Sequence, residues 1–144
     1  MKREPTLMEI YGEKPTTASP MTGLIERCNV AVAKPISKLN IEEICTFVRQ
    51  GFYKEVIAPI AISKLEEKIE IGGDWDAELI QSIASSKEGY FSAEQIEKIR
   101  VIIGSYSREE VLARIAKEDG LEDAFSVVKT IEAEIENTRR KFGF

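Results

Sequence analysis

Residues 39–68 read LNIEEICTFVRQGFYKEVIAPIAISKLEEK, and the spacing within this stretch decides the class of fold. Asn40 can accept a hydrogen bond from the first turn of a helix, and Glu43, three residues on, can reach back to the amide of Asn40. Ile41, Ile44, Cys45 and Val48 then follow at offsets 0, 3, 4 and 7, which places them on one helical face. Gly51 supplies the left-handed position at which helices commonly end. The segment over residues 52–69 carries its own stripe, Ala58, Ile62, Leu65 and Ile69. Pro59 lies inside that stripe without an N–H to donate, so a kink or a fresh helix start is expected there. Gly72 and Gly73 close the segment.

The same reading extends in both directions. Upstream, residues 1–21 contain Pro5, Gly12, Pro15 and Pro20 with no sustained period, an irregular arm whose Leu7, Met8, Ile10 and Tyr11 can dock on the body. From residue 22 onward the pattern is helical. Leu24, Ile25, Cys28 and Val32 form a stripe that stops before Pro35, since the residue preceding a proline avoids helical geometry. Downstream, Asp74 or Asp76 can cap a helix bearing Leu79, Ile80 and Ile83. Ser92 with Gln95 and Ser107 with Glu110 have the spacing of two more capping boxes. Behind the first stand Ile96, Ile99, Ile102 and Ile103, where the run Val101-Ile102-Ile103 implies burial on more than one side. Behind the second stand Val111, Leu112 and Ile115. Gly120 breaks the chain, and a long last helix shows Leu121, Phe125, Val128, Ile131 and Ile135 before the basic end Arg139-Arg140-Lys141, which complements the helix dipole. No strand alternation appears. The expectation is an all-α fold, a single domain over residues 1–144, built as one compact bundle of about seven helices behind a short irregular arm.

Composition bounds the function. At 144 residues with 43% hydrophobic and 31% charged side chains, the chain has the balance of a globular domain. It contains no histidine, which removes the commonest general base and the favoured zinc ligand. Twenty basic residues stand against 25 acidic ones, so direct binding to nucleic acid, which rewards basic surfaces, is not expected. The charge is uneven: residues 1–73 hold ten of each sign, and residues 74–144 hold ten basic and fifteen acidic. An acidic half suits a basic protein partner, or simply keeps the chain soluble. Cys28 and Cys45 sit among apolar residues at helical spacing and read as buried reduced thiols. No apolar run is long enough to span a membrane, and Lys2-Arg3 is followed by Glu4-Pro5 instead of a signal-type apolar stretch. A cytoplasmic setting is expected, without a membrane contact.

Catalytic signatures are absent, and no catalytic residue, cofactor or metal ligand is assigned. Gly72-Gly73 is followed by Asp74, whose charge would repel a phosphate. The adjacent acid pairs Glu42-Glu43, Glu66-Glu67, Glu109-Glu110 and Glu122-Asp123 point about 100° apart on a helix and do not face a common centre. The cluster Asp74, Trp75, Asp76 and Glu78 lacks the ligand alternation of a calcium loop and reads better as helix capping. Two features stand out as candidate partner-binding surfaces. Trp75, the single tryptophan, lies between Asp74 and Asp76 with Glu78 close by, and is either a core anchor or an interface anchor. Residues 118–136 hold seven acids and one base; Glu118 and Asp119 end one helix while Glu122 and Asp123 open the next, so four carboxylates meet at one corner.

Several segments resemble bacterial immunity proteins of contact-dependent growth inhibition systems. They are LMEIYG over residues 7–12, residues 24–28, Lys34-Pro35-Ile36, the helix over residues 39–50, and above all RQGFYKEVIAPIAISKLEEK over residues 49–68. Gly72-Gly73-Asp74 is similar to that family's Gly-Asp loop leading into a helix. The likeness covers residues 7–83. It departs where the family carries a second Gly-Asp followed by leucines, since Ala77-Glu78-Leu79-Ile80 stands there, and the C-terminal helices match no pattern of the family. The resemblance implies a cytoplasmic protein that binds the toxic C-terminal domain, frequently a nuclease, of a large effector delivered by neighbouring cells. It also implies inhibition by occlusion, with no bond made or broken. Gln50, Gly51, Pro59, Ala61 and Leu65 match as scaffold, so no binding role is carried onto them. The alternative is a helical adaptor, or a self-associating protein that pairs with a second copy through its last helix.

Overall fold

The computed structural model describes residues 4–12, 23–73 and 75–144. The arm beyond Gly12, Asp74, and the side chains of Leu24 and Ile25 lie outside the described residues. The described chain is all helical: α1 (Leu7–Tyr11), α2 (Gly23–Val32), α3 (Ile41–Gln50), α4 (Lys54–Glu67), α5 (Glu78–Ala84), α6 (Ala93–Gly104), α7 (Arg108–Asp119) and α8 (Leu121–Phe142), with a 3-10 turn at Ile36–Lys38. That is one α-helix more than expected, because part of the N-terminal arm is itself helical. Thr6 caps α1, accepting from the Glu9 amide at 3.1 Å. Leu7 is fully buried, and the arm is stapled down by the Ile36 amide donating to the Pro5 carbonyl at 3.2 Å.

Local chemistry explains most of the boundaries. Both halves of the Asn40–Glu43 capping box form, and Gly51 ends α3 with φ 79°. The Ser92–Gln95 box on α6 also forms in full. Ser107 caps α7 by accepting from the Glu110 amide. Pro59 neither ends nor restarts its helix: α4 runs unbroken from Lys54 to Glu67. The proline ring lies on the exposed side, where the acceptor it leaves unused can meet water.

α5 forms the middle of the bundle. Leu79, Ile80 and Ile83 are fully buried, with α3 packed on one side and α8 on another. α8 also lies along α7, to which it is joined by Gly120 alone. That glycine has φ 92° and ψ 160°, a backbone region essentially restricted to glycine. Cys28 and Cys45 are both buried, as expected.

Three expectations about faces are corrected. Leu121 and Phe125 are not part of the buried stripe of α8; they are 59% and 47% exposed. The stripe is instead Ala124, Val127, Val128, Ile131 and Ile135, continuing through Thr138. Val101 faces solvent while Ile103 is buried, so the apolar run in α6 is covered on one side only. Asp76 does not cap α5, and Asp74 lies outside the described residues. The N-cap of α5 is Ala77, in a left-handed conformation with φ 61° and no side-chain cap.

Candidate functional site

The sequence marks two regions, the loop over residues 68–77 and the α7–α8 corner, and they prove different in kind. In the loop, Gly73 lies so close to α3 that a Cβ there would fall 2.1 Å from Glu42 Cγ. A Cβ on Gly72 would fall 1.9 Å from the Trp75 carbonyl oxygen. The two glycines thus permit a tight fold that brings Glu78 inward. Glu78 is fully buried, not an acid on display. Its Oε2 lies 3.0 Å from Arg49 Nη1, and its Oε1 accepts from the Gly73 amide at 2.9 Å. Trp75 and Asp76 remain on the surface, and the Arg49 guanidinium carbon sits 5.4 Å from the Trp75 ring centroid. Trp75 is therefore not a core anchor.

The loop is also fastened to α7. Arg114 donates from Nε and Nη2 to the two carboxylate oxygens of Glu70, each at 2.6 Å. Burial works against ionisation of Glu70, but the Arg114 hydrogen bonds, helped by a backbone hydrogen bond and the charges of Arg114 and Lys68, outweigh it and hold the carboxyl below its ordinary range.

One helical turn beyond Arg114 the corner begins. Glu118, Asp119, Glu122 and Asp123 are all exposed, as is Gly120 between them. Among the described residues none of the four joins an ion pair. Glu122 and Asp123 sit at the N-terminus of α8, where the helix dipole favours anions. Glu118 and Asp119 sit at the C-terminus of α7, where the dipole disfavours them. Leu121 and Phe125, one turn apart on α8, are exposed in the midst of these charges. The corner thus sets exposed apolar surface beside exposed acids.

The remaining acids of residues 118–136 do not belong to it. Glu132 accepts from the Tyr106 hydroxyl at 3.1 Å and lies 3.3 Å from Arg108; burial, then this hydrogen bond, pushes the Tyr106 hydroxyl up to about 12. Glu134 is buried and accepts from Asn137 at 2.6 Å. Glu136 pairs loosely with Arg140 at 3.7 Å. Missed by the sequence reading were Arg49, which carries no motif, and the exposure of Leu121 and Phe125.

Among the described residues no group of three or more acids or cysteines is placed to hold a metal ion, and no helix is long and apolar enough to cross a membrane. A groove of about 480 Å³, lined by Lys87, Phe91, Ile96, Lys141 and Phe142 among others, lies toward the far end of α8. The chain matches no protein-family model and no curated protein.

Proposed function

We propose that this chain is a stoichiometric inhibitor of a basic protein, acting as an immunity protein that binds the toxin domain of a contact-dependent growth inhibition effector. The observation that carries the reading is the α7–α8 corner. Four exposed carboxylates without ion pairs among the described residues stand within six residues at the junction of two helices, two of them at the unfavourable end of a helix, beside two exposed apolar side chains. Folding gains from Glu122 and Asp123 at the favourable end of α8, but nothing from Glu118 and Asp119 or from the exposure of Leu121 and Phe125. A cationic partner turns every element of it to advantage: the acids speed encounter, while Leu121 and Phe125 give apolar contacts that slow release. The resemblance in residues 7–83 supplies the identity of such a partner, and a nuclease, cationic where it holds its substrate, fits the charge.

Self-association through the apolar stripe of α8 has less support, because that stripe is used internally against α5 and α7. The test of the proposal is co-expression with the toxin domain encoded immediately upstream. Cells carrying both are expected to survive, and the two proteins to co-purify in a salt-sensitive complex. Killing that proceeds as fast with the chain as without it would refute the assignment.

A further inference from the structure

An indole at a loop surface is ordinarily held only by its own backbone, but Trp75 is mounted. Beneath its ring lies the guanidinium of Arg49, 5.4 Å from the centroid, within cation–π range. Arg49 is itself fixed from below: Nη1 donates to Glu78 Oε2 at 3.0 Å and to Ser82 Oγ at 2.9 Å, and Nη2 reaches Thr46 Oγ1 at 3.4 Å. Ser82 in turn donates to the Glu78 carbonyl at 2.8 Å. Glu78 closes the circuit by accepting from the amide of Gly73, two residues before the tryptophan. A half-buried ion pair of this kind contributes little to net stability compared with apolar side chains of equal volume. What it provides here is orientation.

We propose that Arg49 is a positioning residue that presents Trp75 as a pre-set anchor for a basic protein surface. Trp75 is 44% exposed although one face of its ring is covered by Arg49. The positive charge of Arg49 is already matched by Glu78. The exposed residue that follows the anchor in the chain is an acid, Asp76. Lys68, exposed at the other end of the loop, neighbours Glu70 instead. A lysine or arginine of the partner can stack on the open part of the indole and pair with Asp76. The Glu70–Arg114 bond fastens the loop to α7 one turn before Glu118, linking the anchor to the acidic corner. This inference rests on the inhibitor reading for the sign of the partner's charge and adds a second contact to it.

The test uses the full chain, in which Trp75 is the sole tryptophan, and a fluorescein-labelled nona-arginine peptide at low salt as the probe. Arg49→Lys keeps the charge beside Glu78 but loses the planar fork. It is expected to red-shift the emission of the unbound protein, lower its anisotropy, and weaken the peptide about fivefold. Trp75→Ala is expected to weaken the peptide about tenfold. Should Arg49→Lys fail to fold, Ser82→Ala removes one acceptor of Arg49 and should move emission and affinity in the same directions by less. The proposal is overturned if saturating peptide leaves the wild-type emission unmoved, if Trp75→Ala binds as tightly as wild type, or if the folded Arg49 or Ser82 variant changes neither emission nor affinity. A peptide response as expected, alongside an upstream toxin domain that does not bind, would retain the anchor and remove the toxin.

Discussion

Glu70 accepts two hydrogen bonds of 2.6 Å from Arg114 and is held below its ordinary value of 4.5. A carboxylate depressed by folding stabilises the protein above its unfolded value and loses that contribution as pH falls through the folded one. Glu70→Gln should therefore cost about 1 kcal/mol at neutral pH, the modest figure appropriate to a pair with a partly exposed arginine. Thermal unfolding of both proteins should show the gap shrinking below pH 4.5 and closing at lower pH. Gly72 allows a harsher test. A methyl there meets the Trp75 carbonyl, which is backbone and cannot swing aside, so Gly72→Ala should cost about 3 kcal/mol in denaturant titration. Both residues stood in plain view in the sequence, but their partners did not. Glu78 reads as one more acid in an acidic stretch; only the folding of the loop turns it inward onto Arg49, 29 positions away.

α4 carries a proline six residues into its length and still runs whole. Since Pro59 is exposed and its ring removes one backbone hydrogen bond, Pro59→Ala should raise stability by about 1–3 kcal/mol, measured by chemical denaturation. Three starts were readable from their side-chain caps, since Asn40, Ser92 and Ser107 each mark the start of a helix. The starts of α4 and α5 were not. α4 follows Tyr53 at φ 55° and α5 follows Ala77 at φ 61°, residue types with no preference for the left-handed region. Tyr53 is kept there amid Tyr11, Phe47 and Phe52, whose ring centroids lie 4.6, 5.4 and 6.1 Å from its own, a cluster assembled from three elements. On α8 the ambiguity was one of phase. Leu121 and Phe125 share a spacing with Val128, yet the buried face begins at Ala124, and periodicity cannot choose between stripes that merge after one turn.

At the scale of the molecule, the acidic balance of residues 74–144 includes four exposed carboxylates at the α7–α8 corner that join no ion pair among the described residues. Neutralising Glu118, Asp119, Glu122 and Asp123 together, as Gln and Asn, should slow association with a basic partner at least tenfold at low salt. The difference should fade as salt rises. The same change should leave the unfolding midpoint of the unbound protein intact, and Glu118→Gln with Asp119→Asn alone should raise it slightly, because those two anions oppose the α7 dipole. Stopped-flow association and a thermal melt measure the two effects separately. The all-helical bundle was legible because every helix from α3 onward repeats its apolar stripe. The corner was legible as charge, and as nothing more, because its apolar centre depends on how α8 rolls against α5 and α7. Gly120 gives that corner one last property. A single-residue hinge leaves no slack, so the four carboxylates keep the separations that two rigid rods impose on them. A basic guest, if the proposed inhibitor reading holds, must bring cations at matching intervals or forgo some of the pairings. On the proposed reading the junction would work as a gauge that measures the guest, and lengthening it by even a few residues would cost selectivity before it cost solubility or fold.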